Sequence, residues 1–410
     1  MSDRIVTSCR ACGSSALTPI FNFGDRMALA NDFVTAEMIP NYQDYHPLHF
    51  MICRECTLGQ LQHVVSPYRL YSDYAYVTST SETMNRHLDF LVQRFMQMCG
   101  GLAHPKVLEI GSNTGLFLRK FELAGCHVMG YEPATNIATI AKSQGIQTRE
   151  AFFNDTSTSD IGKWDIVVGR HVLAHIDDLY SVLCALEQIT HERSIIGFEV
   201  PYLVSMHDGI QFDTIYHEHL SYFTVKSVVE WLQDSAFSLD SVDRYSIHGG
   251  SIMFYLRRRP RRPVTDRATQ HLLRSEEEME LGREQTWDHW CERVRDTRQE
   301  LLELIRGLQN RGRTVAAFGA SAKGNTLLQY CHLGPDQILY VADNTPFKQG
   351  RFTPGTWIPV VKPETIQEQH PDYLLLLAWN FAQEIVAKNR DYIAAGGKFI
   401  VPIPKVALLD

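Results

Sequence analysis

The spacing of hydrophobic and polar residues changes near residue 86, and this change divides the chain. Before it, residues 1–75 are rich in aromatic residues, Pro and Asn and contain short apolar runs without a helical period, which predicts loops and short strands. After it, a helical pattern (RHLDFLVQRFMQMC) is followed by apolar strands (KVLEI, CHVMGYE, WDIVVG, SIIGFEV) with helices between them. Such alternation is typical of a parallel sheet covered by helices, so this region is predicted to be α/β.

A second change of pattern follows the stretch LRRRPRRPV at 256–264, which is dense in Pro and Arg. A solvated linker is its simplest interpretation, although such a basic run can also bind phosphate groups. A long amphipathic helical segment then extends to about Asn310 and closes at Gly312, and strands TVAAFGA, ILYVAD and YLLLLAW predict a second parallel unit. We therefore expect three domains, over residues 1–75, 76–255 and 256–410.

Composition limits the class of protein. With 44% hydrophobic and 21% charged residues, the chain is typical of a globular protein, and its net charge of -8 argues against a broad nucleic-acid surface. No apolar stretch typical of a signal peptide opens the chain, and LLLLAW at 374–379 is too short to span a bilayer. Five of the nine cysteines are scattered singly, which suits a reducing compartment, so a soluble cytoplasmic protein is expected.

The other four cysteines form two C-x2-C pairs, Cys9 with Cys12 and Cys53 with Cys56. Four thiolates in this spacing can close a tetrahedral zinc shell. A redox C-x2-C motif needs no second pair, and two disulfides are disfavoured in the cytoplasm. Because four protein ligands leave no open coordination position, the predicted zinc is structural rather than catalytic.

A glycine-containing turn follows the strand KVLEI, in the order Glu109-Ile-Gly111-Ser112-Asn113-Thr114-Gly115, and a helix begins after it. Glycines in such a turn let the backbone approach a ligand at a helix N-terminus. The next strand ends at Glu132-Pro133, where a carboxylate can accept hydrogen bonds from two ribose hydroxyls. The turn and the carboxylate together predict a nucleotide-containing cofactor.

The spacing acid-x-G-x-x-x-G differs from the G-x-G-x-x-G of dinucleotide folds and resembles the first motif of class I methyltransferases, which use S-adenosylmethionine. The resemblance implies that Glu109 holds the methionine amino group and that Glu132, with Pro133 beside it, binds the ribose. It also implies a cofactor wrapped by the turn residues Gly111, Ser112, Asn113 and Gly115. Asn113 stands where the family commonly has its middle glycine.

A dense cluster of proton-transfer groups follows the strand SIIGFEV, in the order Asp213-Thr-Ile-Tyr216-His217-Glu218-His219. In an open α/β sheet the ligand crevice lies beyond the carboxyl ends of the strands, and His175, after WDIVVG, is expected at the same edge. A single loop histidine is more often structural, but these groups together favour a catalytic site. Metal ligation by His217 and Glu218 is an alternative that lacks a further ligand nearby.

Several longer motifs make the resemblance more specific. The cysteine tetrad, EIGSNTG, HEHLSYF, HGGS at 248–251, GASAKGNTLL at 319–328, DNTPFKQGRFTPGTWIPV at 343–360 and WNF at 379–381 occur in this order over nearly the whole chain. They resemble the sugar C-methyltransferases of deoxysugar pathways. That family implies a zinc-binding module, a class I methyltransferase domain of Rossmann-like fold and a C-terminal Rossmann-like domain that helps to hold the nucleotide. It also implies a nucleoside-diphosphate keto-deoxysugar as substrate, typically methylated at C3 of a 4-keto sugar.

The chemistry of that reaction suits the loop residues. A carbon next to a ketone is weakly acidic, so a base must remove its proton while polar groups stabilise the enolate. His219 is the preferred base, since an unperturbed carboxylate is weaker by roughly two pKa units. Glu218 is expected to support it, with Tyr216 and His175 donating hydrogen bonds. The resemblance adds Tyr76 as an active-site tyrosine, with nearby Tyr74 as the alternative.

Binding of the sugar nucleotide is expected in the C-terminal unit, where the turn after TVAAFGA combines glycines, a helix N-terminus and a lysine. The residues predicted to contact the substrate are Gly319, Ser321, Lys323, His248 and Asn380. Rival interpretations are an O- or N-methyltransferase of another small molecule or RNA, and a non-catalytic binding protein. The sugar, the nucleotide base, the product stereochemistry and the oligomeric state stay open.

Overall fold

A computed structural model describes residues 3–71, 74, 81–258 and 266–409. Its N-terminal part is built from antiparallel strands that hold the cysteine turns together. The elements are β1 (Arg4–Ile5), β2 (Leu17–Ala28), β3 (Tyr45–Cys53), β4 (Gly59–Leu61), β5 (His63–Val64) and the short helix α1 (Pro67–Tyr71), with a 3-10 turn at Ile39–Asn41. Strands β2, β3 and β4 form one antiparallel sheet, and β1 pairs with β5. The short strands expected from the sequence are therefore present.

The central part contains the βα units predicted from residue 86 onwards. Its helices are α2 (Glu82–Met98), α3 (Leu116–Leu123), α4 (Thr135–Ser143), α5 (Leu179–Ile189), α6 (Leu203–Asp208) and α7 (Val225–Trp231). Its strands are β6 (Lys106–Ile110), β7 (His127–Tyr131), β8 (Thr148–Arg149), β9 (Trp164–Arg170), β10 (Thr190–Pro201), β11 (Ser221–Tyr222), β12 (Phe237–Tyr245) and β13 (Ser251–Arg258). Short 3-10 turns lie at Leu173–His175, Phe212–Thr214 and Ile247–Gly249.

Seven of these strands form one sheet in the order β12-β13-β10-β9-β6-β7-β8. Strands β6 to β10 are parallel, whereas β13 is antiparallel to both β10 and β12. Strand β11 instead extends the N-terminal sheet by pairing with β4. Since β6 pairs with β7 on one side and β9 on the other, the direction of winding reverses at β6, which is where ligands bind in open α/β sheets.

The C-terminal part contains a second α/β sheet. Its elements are α8 (Arg267–Glu278), α9 (Glu284–Gln309), β14 (Val315–Phe318), α10 (Ala322–Cys331), β15 (Val341–Ala342), β16 (Val360–Val361), α11 (Thr365–Gln369), β17 (Tyr373–Leu376), α12 (Ala382–Lys388), α13 (Arg390–Ala394), β18 (Lys398–Val401) and β19 (Ala407–Leu409), with a 3-10 turn at Trp379–Phe381. The strand order is β16-β15-β14-β17-β18-β19, parallel except at β19. Here the winding reverses at β14, between β15 and β17.

The long helical segment expected before Asn310 is split into α8 and α9. The break lies at Glu280, whose φ of 50° is left-handed, and at Gly282. A Cβ on Gly282 would lie 2.7 Å from the backbone oxygen of Arg54 in the N-terminal module. The helix is therefore interrupted where the chain passes close to that module. This contact is between residues far apart in sequence, so helical periodicity could not predict it.

The three parts share one hydrophobic core. Phe50 of β3 packs edge-on against Trp287 of α9 at 5.6 Å and against Tyr222 of β11 at 5.4 Å between ring centroids. Such aromatic contacts bury large apolar areas, so the N-terminal module is held firmly against the other two parts. The α/β class is confirmed, while the divisions at 75/76 and 255/256 stay predictions. No helix in the described residues is both long and apolar enough to cross a membrane.

Candidate active site

A cavity of about 1250 Å³ lies between the carboxyl ends of the two parallel sheets. Loops after β6, β9, β14 and β17 line it with Gly111, His171, Gly319 and Ala378. The two positions at which the strand order reverses, β6 and β14, therefore face the same cavity. The N-terminal module contributes to the wall as well, through residues that include Asn31.

The turn after β6 has the backbone that a closely approaching ligand requires. Gly111 and Gly115 have φ of 66° and 80°, and added Cβ atoms would lie 2.8 Å from Val172 and Ile146 respectively. Asn113 has φ of 50°, a left-handed conformation that Asn tolerates better than most residues. The turn is therefore kept although Asn replaces a glycine.

Glu132 is fixed beside this turn by two backbone donors. Its carboxylate accepts hydrogen bonds from the N–H groups of Asn113 and Ala134, each at 2.9 Å, and it lines the cavity. Burial raises the pKa of Glu132, while these two donors lower it. A carboxylate held in this way keeps lone pairs for the ribose hydroxyls of a nucleoside.

Of the seven predicted cofactor residues, four line the cavity: Gly111, Asn113, Glu132 and Pro133. Ser112, Gly115 and Glu109 lie behind this wall. Glu109 is buried, its Oε2 has no hydrogen-bond partner, and burial raises its pKa to about 8. Arg170, which lines the cavity and pairs with buried Glu199 at 2.8 Å, lowers the Glu109 pKa and was missed in the sequence.

Three predicted catalytic residues, Tyr216, His219 and His175, meet in the wall of this cavity. The Tyr216 hydroxyl lies 2.7 Å from Nε2 of His219, whose Nδ1 lies 3.0 Å from the carbonyl oxygen of Thr214. This carbonyl only accepts, so Nδ1 carries the proton and Nε2 accepts from Tyr216. His175 packs edge-on against His219 at 5.1 Å, and burial with His175 nearby lowers the pKa of His219 well below its usual value.

Glu218 does not line the cavity and is held by two groups that do. Its Oε1 accepts from the Asn31 amide at 2.6 Å and its Oε2 from the Tyr74 hydroxyl at 2.8 Å. Burial raises its pKa to about 7, although the two donors and Lys348 lower it. Burial favours the neutral form of both groups, which raises the pKa of Glu218 and lowers that of His219. Glu218 is therefore the more basic of the two, the reverse of the order expected from ordinary pKa values.

Two further tyrosines border this cluster. Tyr76 lies outside the described residues, whereas Tyr74 lines the cavity. The hydroxyl of Tyr71, on α1, lies 2.8 Å from Nδ1 of His175. Neither Tyr71 nor Asn31 was identified from the sequence, because neither belongs to a motif that carries chemistry. His217 does not line the cavity, and its Nε2 is buried without a hydrogen-bond partner.

All five predicted substrate residues line the same cavity: Gly319, Ser321, Lys323, His248 and Asn380. The Lys323 ammonium donates to the carbonyl of His248 at 2.8 Å and lies 5.3 Å above the ring of Trp379. Asp213, buried below the same tryptophan, accepts from its Nε1 at 2.6 Å. Burial lowers the pKa of Lys323, and Asp213 opposes this effect.

A second lysine was missed although it lies within a quoted motif, DNTPFKQG. Lys348 is buried, lines the cavity and donates to the carbonyl of Ala320 at 2.7 Å. Lys348 therefore contacts the turn Gly319–Ser321 that precedes α10, and Lys323 lies in the first turn of that helix with its ammonium on the carbonyl of His248. Two cations and a helix N-terminus at one turn favour an anionic ligand.

The four predicted zinc ligands come together away from the cavity. The Sγ atoms of Cys9 and Cys56 are 3.4 Å apart and those of Cys12 and Cys53 are 3.7 Å apart, with all four atoms within 4.8 Å of one another. A tetrahedral zinc with bonds of about 2.3 Å requires sulfur separations of about 3.8 Å. The cluster therefore fits zinc, and its four thiolates leave no position for a substrate.

Comparisons with known proteins cover all three parts of the chain. Three family models match: a zinc binding domain over residues 9–71, a methyltransferase domain over 81–242 and a C-methyltransferase C-terminal domain over 246–404. C-methyltransferase NovU of Streptomyces niveus is 35% identical over 99% of this chain and 98% of its own length. A ubiquinone biosynthesis O-methyltransferase of Aromatoleum aromaticum is 26% identical over 24% of this chain.

Among solved structures, the magnesium protoporphyrin IX methyltransferase of Synechocystis with bound S-adenosylmethionine is 15% identical, with a TM-score of 0.34. It covers 43% of this chain and 79% of its own. The N-methyltransferase NodS of Bradyrhizobium japonicum is 13% identical, with a TM-score of 0.35, and covers 44% of this chain and 99% of its own.

Proposed function

The chain belongs to the C-methyltransferase family that includes NovU and is an S-adenosylmethionine-dependent C-methyltransferase, and we propose that its substrate is a nucleoside-diphosphate keto-deoxysugar. The proposed site of methylation is C3 of a 4-keto sugar. Family membership decides against a non-catalytic binding protein.

The observation that carries this proposal is the arrangement of the cavity. Glu132 and the Gly111 turn suit the nucleoside of the cofactor. In the same cavity, Lys348 contacts the turn that opens α10 and Lys323 lies in the first turn of that helix, which suits a diphosphate. The pair Tyr216 and His219 lines the wall of the same cavity. A sugar attached to a diphosphate would extend from the lysines towards that pair.

The proposed reaction needs a proton acceptor next to the sugar ketone. Nε2 of His219 carries no proton, so it can accept the C3 proton once the substrate displaces the Tyr216 hydroxyl from it. The Nδ1–H bond to Thr214 holds the ring in the tautomer that this step requires. The Tyr216 hydroxyl then donates to the developing enolate oxygen.

S-adenosylmethionine, when bound, would supply an electrophilic methyl group to C3, its S–CH3 bond would break and S-adenosylhomocysteine would leave. The proton taken from C3 would stay on Nε2 of His219, and the ketone would be restored. Both carboxylate oxygens of Glu218 already accept hydrogen bonds, from Asn31 and Tyr74. Glu218 is therefore proposed to support His219 and not to take the proton itself. Geometry thus favours His219 as the base, even though burial makes Glu218 the more basic group.

Incubation of the zinc-loaded protein with S-adenosylmethionine and a thymidine-diphosphate 4-keto-6-deoxysugar tests the proposed function. We expect a product heavier by one methylene group, with the new methyl on C3 in its NMR spectrum. The matched control is the corresponding sugar with a 4-hydroxyl, which has no acidic C3 proton and should not react. A methyl group on oxygen or nitrogen, or on added RNA in place of the sugar, would contradict the proposal.

A further inference from the structure

A second group of metal-ligating side chains lies on the N-terminal module, apart from the four cysteines. Among the described residues, Asp3, His46 and His63 each offer one ligand atom, and the three atoms lie within 4.8 Å of one another. Oδ2 of Asp3 is 3.0 Å from Nδ1 of His46 and 3.8 Å from Nε2 of His63. Two imidazoles on β3 and β5 therefore converge on one carboxylate oxygen.

The remaining polar atoms of two of these residues are held by neighbours. The Ser66 backbone N–H donates to Oδ1 of Asp3 at 3.1 Å, which leaves Oδ2 facing the histidines. Nε2 of His46 lies 2.7 Å from Asp44, which is itself bound by Arg69. A carboxylate on the far nitrogen of a histidine is the usual outer partner of a metal-bound imidazole, because it fixes the ring and its tautomer.

We propose that Asp3, His46 and His63 bind one divalent transition-metal ion, zinc in the first instance, at a site distinct from the cysteine cluster. Imidazole and carboxylate ligands suit zinc, cobalt and nickel. Ligand bonds of about 2.1 Å require donor atoms about 3.4 Å apart in tetrahedral geometry, and the separations of 3.0 and 3.8 Å bracket that value. Three protein ligands leave one position for water.

A hydrogen bond between Asp3 and His46 alone is the simpler arrangement, but it gives no role to His63. The His63 ring is largely buried, and its Nε2 faces the same carboxylate oxygen. A metal ion satisfies both imidazoles at once. It would also join the segment before β1 to β3 and β5, next to Ser66 at the start of α1, the helix whose Tyr71 contacts His175.

The test is a zinc titration of the full-length protein after the cysteine site has been loaded and excess metal removed. Wild-type protein should bind one further equivalent, and His63→Ala should lose it or bind at least tenfold more weakly. Asp44→Asn, which removes the charged outer partner of His46 together with its pair to Arg69, should weaken binding by roughly 10- to 100-fold. His49→Ala is the matched control, because His49 lies on the same strand as His46, pairs with Asp25 and is not one of the three proposed ligands.

Cobalt provides a second readout that does not depend on stability. Cobalt in the further site should give ligand-field bands without thiolate charge-transfer absorption, since its ligands are nitrogen and oxygen, and His63→Ala should abolish those bands. No further equivalent in the wild type, unchanged binding in His63→Ala, or an equal loss in His49→Ala would overturn the proposal. The last outcome would mean that scattered surface histidines bind the metal.

Discussion

The side-chain amide of Asn31 donates a hydrogen bond of 2.6 Å to Oε1 of Glu218, so a residue of the zinc-binding module contacts the loop that carries Tyr216 and His219. The segment that carries Asn31 is clamped to α10. Gln329 accepts from the backbone N–H of Ala28 at 2.8 Å and donates to its carbonyl at 3.2 Å, and Asn325 donates to the same segment at 2.7 Å. The zinc-binding module is thus linked to both other parts at the active site.

Asn31→Ala should lower the rate of methyl transfer about tenfold. A hydrogen bond to a charged group contributes about 1.5–3 kcal/mol, and its loss leaves Glu218 free to turn away from the wall. Steady-state kinetics on zinc-loaded protein would measure the effect, which we expect mainly in kcat. Asn22→Ala is the control, since the Asn22 side chain accepts from the Gly24 N–H on the surface of the same module. Equal rates in both variants would contradict a positioning role for Asn31.

Cys9→Ser should abolish stoichiometric zinc binding and destabilise the N-terminal module. A structural zinc supplies folding free energy directly, and a module of short strands has little regular structure to replace it. Metal analysis and thermal unfolding measure the two effects, and activity should fall with them because Asn31 loses its support. Cys184→Ser, outside the module, should keep its zinc. A soluble, active Cys9→Ser protein with normal unfolding would refute the structural role.

Lys323→Ala should weaken binding of the sugar nucleotide tenfold or more and leave S-adenosylmethionine binding unchanged. The Lys323 ammonium lies beside His248 and Trp379, whereas Glu132 is bound to the backbone of the Gly111 turn, so only the diphosphate should lose an attraction. Calorimetric titration with each ligand separates the two. Lys362→Ala is a suitable control, because Lys362 is exposed and pairs with Glu368. If wild-type and Lys323→Ala protein bind the sugar nucleotide with equal affinity, Lys323 is not part of the binding site.

His219→Ala should lose both methyl transfer and exchange of the C3 proton with solvent deuterium, while still binding both ligands. Exchange reports enolate formation separately from methylation, so loss of both assigns the base. Tyr216→Phe leaves Nε2 of His219 free and should retain exchange at a reduced rate. If His219→Ala exchanges at the wild-type rate, the base is another residue, and the raised pKa of Glu218 makes it the next to test.

Glu218→Gln should stabilise the fold increasingly as pH rises from about 4.5 to about 7. Burial raises the folded-state pKa of Glu218 to about 7, above its unfolded value of about 4.3, so the native state binds a proton that the unfolded state has lost. Wild-type stability therefore falls over this interval, and the uncharged variant escapes the loss. The difference in unfolding free energy should grow by about 3 kcal/mol between pH 4 and pH 8, measured by urea denaturation. A constant difference would mean that Glu218 has an ordinary pKa.

Features that depend on neighbouring residues were predicted correctly. Two residues between paired cysteines suffice for a turn that presents both sulfurs, and the alternation of apolar strands with amphipathic helices suffices for the α/β class. The left-handed positions of Gly111 and Gly115, in the turn predicted to hold the cofactor, are likewise a local property. The residues predicted to contact the substrate line one cavity, and two of them follow strands of the same parallel sheet, Gly319 after β14 and Asn380 after β17.

Tertiary contacts decided the rest. Asn31 and Glu218 are 187 residues apart, and no local pattern marks an asparagine that acts through such a contact. The helix break at Gly282 comes from the carbonyl of Arg54 in another part of the chain. The relative basicity of Glu218 and His219 reverses because a pKa depends on desolvation and neighbouring charges, which exist only once the chain has packed around them.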